Sequence, residues 1–293
     1  MKAKAALTTA IALLVPWAVG WAANSIDISE ELDAQYGYAG DVKTRGAGMT
    51  TGSVDEHNAY VKYVISPQLN KNLLLRFGCE WDRLTFGVPD GAPVPHVLQQ
   101  ATAVLGFDYQ VADQWLARLE VEPGLYSDFQ DISWRDFDAP VVLVGVYLAN
   151  ADLQWVVGMR IDARTQYPVL PVAGVRWKFA EEWTLNAMLP NPRMEYEFNE
   201  RLLLYAGAGI EGGTFAVGEN FGSDHGQPKL DGAIVDFLEF RVGAGCSWKV
   251  TPRITLEAEA GDMPYRDFDF FDPDIEYRSH NAPYGQITCH ARF

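Results

Sequence analysis

The sequence lacks most of the features that place a protein in a compartment or a chemistry at a glance. It holds only three cysteines, Cys79, Cys246 and Cys289. An odd number at wide spacing is no disulfide framework, and no Cys-x-x-Cys pair offers a metal site. Each lies in an alternating apolar run and reads as a small hydrophobic filler. Bases are scarce, with 23 Lys and Arg against 39 Asp and Glu, for a net charge of −16. That acidity excludes a nucleic-acid partner and adhesion to an anionic membrane surface. Past the first two dozen residues no apolar run is long enough for a transmembrane helix. The longest, 141–149, is about half of the ~20 residues required. No Gly-x-Ser-x-Gly elbow is present, and no cofactor motif.

What is present begins at the N-terminus. Lys2 and Lys4 form a basic start, an apolar stretch follows from Leu7 to Val19, and Gly20-Trp21-Ala22-Ala23 offers small residues for cleavage. This is the layout of a secretory signal peptide over residues 1–23, too short to anchor as a helix. Residues 24–293 are then a single exported domain.

A period of two dominates that domain. From Leu73 one face reads Leu73, Leu75, Phe77, Cys79, Trp81 and the other Leu74, Arg76, Gly78, Glu80, Asp82. The same split recurs from Trp115, where Ala117, Leu119 and Val121 oppose Arg118, Glu120 and Glu122. It recurs from Leu153, where Trp155, Val157, Met159 and Ile161 oppose Arg160 and Asp162, and from Leu238, where Phe240, Val242 and Trp248 oppose Glu239 and Arg241. Ordinary strands average about 5–6 residues, and these runs are longer. A dry sandwich core does not want a charged face on every strand. A barrel in lipid does: apolar side chains meet hydrocarbon and charged ones face a polar lumen.

Tight turns at 67–71, 111–113, 150–152, 181–182, 199–200 and 250–252 alternate with longer loops, among them 41–55, 88–96, 127–138, 214–230 and 262–283. Short turns on one side and long loops on the other predict an all-β, up-and-down antiparallel transmembrane β-barrel of 14 strands. If the short candidates 183–189 and 193–198 form only a rim hairpin, the number is 12. Phe107, Tyr109, Trp115, Trp155, Trp177, Phe179, Trp183 and Trp248 all lie beside a short turn on the apolar face. One end and one face together predict an interfacial aromatic girdle. Too few residues precede the first strand for a plug domain.

The last strand alternates Gly285, Ile287, Cys289, Ala291 and ends on Phe293. Here the chain resembles the bacterial outer-membrane β-barrel superfamily, whose final strand carries a C-terminal Phe read by the barrel-assembly machinery. It is similar to uncharacterised barrel families known only as domains of unknown function, and its layout resembles that of monomeric general porins. The resemblance implies residence in the outer membrane of a Gram-negative bacterium. The implied partners are outer-membrane lipid, the assembly machinery acting through the strand ending at Phe293, and small solutes.

The expected lumen lining is Arg76, Glu80, Asp82, Arg118, Glu120, Glu122, Arg160 and Asp162 on the first half of the ladder. Arg176, Lys178, Glu239, Arg241, Glu257 and Glu259 continue it on the second. In a narrow barrel these charges must pair; in a wide one they line a pore. Acids slightly outnumber bases, which points to a mild preference for cations. The segment 262–283 carries Asp267, Asp269, Asp272 and Asp274 between aromatics. Carboxylates at that spacing are weak candidates for a Ca²⁺ or Mg²⁺ site, and a solvated acidic loop is the favoured reading. No Ser or His falls on an assigned outward position, and His57, His96, His225 and His280 fall in or beside loops, so no catalytic residue is expected. The leading functional expectation is a porin-like passive channel for small solutes. The alternatives are a closed structural or surface-binding barrel, then a lipid-modifying enzyme. Paired inward charges and filled loops distinguish the closed barrel from the channel.

Overall fold

The computed structural model describes residues 28–46 and 49–293; the expected signal peptide lies outside the described residues. The chain forms a closed antiparallel barrel of 14 strands. In order they are β1 (Ile28–Gly46), β2 (Met49–Asn70), β3 (Leu73–Gly87), β4 (Val97–Ala112), β5 (Trp115–Val121, continued by Gly124–Ser127), β6 (Phe137–Asp138, continued by Val141–Leu148) and β7 (Leu153–Ile161). There follow β8 (Val169–Lys178), β9 (Trp183–Met188), β10 (Arg193–Glu197), β11 (Leu202–Ala216), β12 (Ile234–Lys249), β13 (Ile254–Phe270) and β14 (Ile275–Ser279, continued by Ala282–Arg292). Each strand pairs with the next, and β14 returns to β1 from Glu31↔Arg292 to Ala39↔Tyr284. Pro123 and Pro140 break β5 and β6, because proline has no N–H for the ladder. Among the described residues no helix is long and apolar enough to cross a membrane.

Burial is inverted relative to a water-soluble protein. Val157 is 60% exposed and Ile287 63%, while Arg266 and Glu239 are wholly buried. The parities from Leu73, Trp115, Leu153 and Leu238 hold, with the apolar members outward. All eight girdle aromatics are exposed, and Trp115 packs on Tyr147 and Trp183 on Tyr196 at the same end. The rim-hairpin alternative is superseded: β9 and β10 are short but hydrogen-bonded into the wall on both sides.

Two expected loops are strand. β1 and β2 pair up to Gly46↔Met49, so most of 41–55 is ladder. β13 runs to Phe270 and pairs with β14 through Phe270↔Ile275, so 262–283 is mainly a hairpin. The two-residue step of its carboxylates is the strand period itself. Asp267 and Asp269 share one face of β13, and Asp272 and Asp274 sit at the tip. A bulge opposite Phe240 and Val242 shifts the parity of β13, turning Arg266, Phe268 and Phe270 inward.

The barrel has two tiers. Strands β6 to β10 stop low. Above them β11 crosses to β5, with Ala216 bridging Ser127 in parallel and the Asp128 N–H donating to the Ala216 carbonyl at 3.1 Å. The loop end is therefore narrower than the short-turn end. Within the lower tier Gly158 sits where an added Cβ would meet the Leu143 carbonyl oxygen at 2.3 Å. Gly158→Val should force β6 and β7 apart and cost about 1–3 kcal/mol, seen as a lower denaturant midpoint in lipid vesicles; an unchanged midpoint counts against the tight register.

Candidate functional site

Inward charges on long strands come within reach of each other across the lumen, and ion pairs fill its middle. The Lys62 ammonium contacts Glu80 at 2.9 Å, Glu120 at 3.0 Å and Glu122 at 3.2 Å. Arg76 contacts Glu120 at 2.9 Å and Glu31 at 3.3 Å, and Arg118 pairs through two nitrogens with Asp108. Higher up, Arg266 contacts Glu56 at 2.7 Å and Glu239 at 3.6 Å. Arg241 contacts Glu56, Glu211 and Glu239. On the far wall Arg193 contacts Glu195 at 2.9 Å and Glu257 at 3.3 Å, and Arg176 reaches the same Glu195 at 3.4 Å. Lys178 pairs with Glu197 at 3.0 Å and Arg160 with Glu122 at 3.3 Å. Asp82 accepts from the Asn58 amide, Glu259 from the Tyr284 hydroxyl, and Asp162 from the Arg164 N–H.

Each of the fourteen residues expected at the lining takes part in one of these ion pairs or hydrogen bonds. Sequence reading passed over Glu31, Glu56, Lys62, Arg193, Glu211 and Arg266, several of which are the hubs. Parity along β2, in which Glu56, Asn58, Tyr60, Lys62 and Val64 alternate with outward residues, carried the signal for Glu56 and Lys62.

The loop end is sealed by apolar residues of the wall and of the β11–β12 connection. Phe86, Phe237 and Phe268 meet with centroids 5.0–5.4 Å apart. Around them pack Val54, Leu84, Leu98, Tyr126 and Tyr277 from the wall, and Phe221 and Leu230 from residues 217–233. That segment carries the short helix α1 (Phe221–Asp224) and a 3-10 turn (Pro228–Leu230). The Gly218 N–H donates to Asp128 Oδ2 at 2.9 Å, and Arg135 donates to the Gly232 carbonyl, so the segment is tied over the mouth.

On the opposite side the inner face of β8 is the least buried part of the wall. On β8 the inward-facing residues are Leu170, Val172, Gly174, Arg176 and Lys178, and none is buried. Every other strand has at least one buried inward residue. Leu170 is 48% exposed although it faces inward. Along this face the wall is also incomplete. β8 pairs with β9 only from Gly174 to Lys178, and β10 pairs with β11 only from Leu203 to Gly207. The Ala208 and Ile210 N–H groups donate to the Pro192 and Pro190 carbonyls. Above that tip, 169–173 and 211–215 have no ladder partner on this side among the described residues. Gln166 and Arg164, in the β7–β8 loop, bridge over the top to Asp236 and Phe137. β9 has six residues; at about 3.3 Å each and a tilt of about 40° it climbs about 15 Å, short of the apolar band of about 25 Å. The gap therefore opens within the band. Bare strand edges persist at membrane depth only where they line a wet cavity, and Pro171, which has no N–H to orphan, stands on this edge.

Deeper in the lumen a small polar cavity of about 40 Å³ is lined by Arg193, Arg241, Glu211, Glu257, Glu259 and Asn191 among others. The weak metal candidates do not converge. Asp267 pairs with Arg278 and accepts from the Tyr265 hydroxyl, and Asp269 stands opposite Glu276. Among the described residues no group of three or more His, Cys, Asp or Glu is placed to hold a metal. His57, expected at a loop, stands on the outer face of β2 with Nδ1 2.7 Å from the Tyr36 hydroxyl. The inward His290 contacts Asp33.

A family model described as a domain of unknown function (DUF6268) matches residues 69–284. No curated protein matches the chain. Among solved structures, an outer-membrane channel of Pseudomonas putida F1 is 10% identical with a TM-score of 0.48, over 92% of this chain and 97% of that one. The toluene transporter TodX of Pseudomonas putida is 11% identical with a TM-score of 0.40, over 92% and 90%. The toluene transporter TbuX of Ralstonia pickettii is 9% identical with a TM-score of 0.41, over 92% and 90%. The likeness is one of barrel architecture alone.

Proposed function

The chain belongs to the family described as a domain of unknown function (DUF6268), and from its barrel we propose a channel of the Gram-negative outer membrane that passes small solutes sideways. The solute route runs along the inner face of β8 and leaves through the gap between β8 and β11. The observation that carries this reading is the unburied inner face of β8, continuous from Lys178 at the short-turn end to Leu170 at the gap. A straight axial pore is disfavoured, because the aromatic cluster fills the loop end and ion pairs fill the middle of the β1–β5 side. The protein is neither a general porin nor an enzyme in this reading. It reaches the membrane by signal-directed export, and the assembly machinery engages the strand ending at Phe293.

Val172→Trp places an indole on the route without touching an ion pair. Refolded into a planar bilayer, the unaltered barrel should show small conductance steps in potassium chloride, and Val172→Trp should abolish most of them. Equal conductance from both proteins, with folding verified by heat-modifiable gel migration, sinks the side route. No steps from either protein favours the closed structural barrel, to which the sealed loop end also points.

A further inference from the structure

Arg83 puts an unmatched charge on the lipid-facing wall. It is exposed on the outer face of β3, two residues above the exposed Trp81. Lower on β3, Leu75 stands opposite Phe107 of the short-turn girdle, eight residues below Arg83. At about 3.3 Å each and a tilt of about 40°, eight residues climb about 20 Å, close to the far edge of an apolar band of about 25 Å. Arg83 therefore stands near headgroup depth on the loop side, where Trp and Tyr rings also collect.

Its partners are neutral. Arg83 Nε donates to the Thr85 hydroxyl and Nη1 to the Gln99 side-chain oxygen, both at 3.3 Å. Among the described residues it forms no ion pair, and the rest of its fork of N–H donors is unused. Further toward the loops Lys43 and Arg45 are exposed on β1, and Asp41 and Asp55 balance them. On the neighbouring sector of β13 and β14, Asp267, Asp269 and Glu276 outnumber Arg278. The uncompensated positive charge is thus local to Arg83.

Beside it the wall has a hollow. Cross-strand register sets Tyr36, Ala59 and Arg83 side by side on β1, β2 and β3. Ala59, small and half-buried, is the floor, and Tyr36, His57, Val61 and Arg83 stand exposed around it. His57 holds the rim in place: its Nδ1 lies 2.7 Å from the Tyr36 hydroxyl and its ring centroid 4.9 Å from that of Tyr38. Asp55, two residues further toward the loops, lies 3.9 Å from His57 Nε2.

We infer that this spot binds the phosphorylated headgroup of a lipid in the loop-side leaflet. The phosphate meets Arg83, whose planar fork suits a pair of phosphate oxygens. The rest of the headgroup lies over Ala59 against the Tyr36 ring, and the acyl chains run down past Val61 and Trp81. The site is on the outside of the barrel and does not depend on the solute route.

The test uses the full barrel in neutral detergent micelles and counts bound lipid by native mass spectrometry. The probes are diphosphoryl lipid A, the same glycolipid stripped of its phosphates, and inorganic phosphate. Diphosphoryl lipid A should bind about tenfold tighter than the stripped form, the worth of one charge-assisted hydrogen bond. Arg83→Gln should remove that advantage. Ala59→Trp, which keeps the charge and fills the hollow, should weaken binding as much. Both positions lie on the outer surface, and gel migration verifies folding. Lys249→Gln, at an exposed cation of the short-turn end, should change nothing. Equal binding of the two glycolipids, or binding untouched by Arg83→Gln, overturns the inference. An equal loss from Lys249→Gln does so too, since it marks attraction to charge at large, and an inert Ala59→Trp removes the hollow from the site and overturns it as drawn. Displacement of lipid A by equimolar inorganic phosphate would make this a site for free anions and overturn the lipid assignment.

Discussion

Replacing Arg266 by Met should cost about 3–5 kcal/mol of barrel stability, because it leaves buried carboxylates without their counter-charge. Arg266 has no exposed surface and serves both Glu56 and Glu239, themselves almost fully buried. Arg241 also reaches both carboxylates and Glu211 besides, so the variant leaves three acids on one base at the narrow end of the lumen. The edge of this cluster is apolar: the Arg266 guanidinium lies 5.8 Å from the Phe86 ring centroid. Denaturant unfolding in lipid vesicles, followed by tryptophan emission and by gel migration, measures the loss. Adding Glu56→Gln and Glu239→Gln should return much of it, since no buried charge is then orphaned. A single-variant cost below about 1 kcal/mol, the range of an exposed pair, would mean that water reaches this network and that the loop end is not sealed.

The second large effect concerns the seal. Phe86→Ala combined with Phe268→Ala removes two of the three rings that meet on the axis, at about 3–5 kcal/mol each in lost packing. The barrel wall does not depend on these rings, whose backbones remain in the ladder. Long-lived conductance steps larger than those of the unaltered protein are expected in planar bilayers. They should persist when Val172→Trp is added, because the new opening is axial and the β8 route is lateral. Folded double-alanine barrels with unaltered conductance would place the axial barrier elsewhere, in the ion-paired middle layer.

The parts of the site legible beforehand were those that depend on one strand at a time. Arg76, Glu80 and Asp82 could be assigned inward because their own neighbours Phe77, Cys79 and Trp81 demanded lipid. Trp155 and Trp177 could be placed at an interface because each stands beside a turn. Residues 262–283 were read as an acidic loop because Asp267 and Asp269 drew attention away from Phe268 and Phe270, which continue the same alternation inward. A bulge hides that continuity, since it shifts parity by one residue and is set by the partner strand. Residues 141–149 read as a run half the length of a helix span. In the barrel they are a strand apolar on both faces, with its inward Val142, Val144 and Val146 beside the β8 route.

The sign of the lumen illustrates the same limit. Counting inward charges favours cations as solutes, because acids outnumber bases. A count cannot register sharing: Lys62 alone serves Glu80, Glu120 and Glu122, and Glu195 lies between Arg176 and Arg193.

Sequence by itself determined the closed antiparallel cylinder with its oily exterior, since a side-chain period of two, repeated in every strand and punctuated by turns, is a local property that lipid selects. Only the tertiary structure decided that the loop end is stoppered, which carboxylate serves which base, and where the wall falls short. Those depend on distances between strands far apart in the chain, and on β9 ending several residues before its neighbours, which no single strand's pattern encodes.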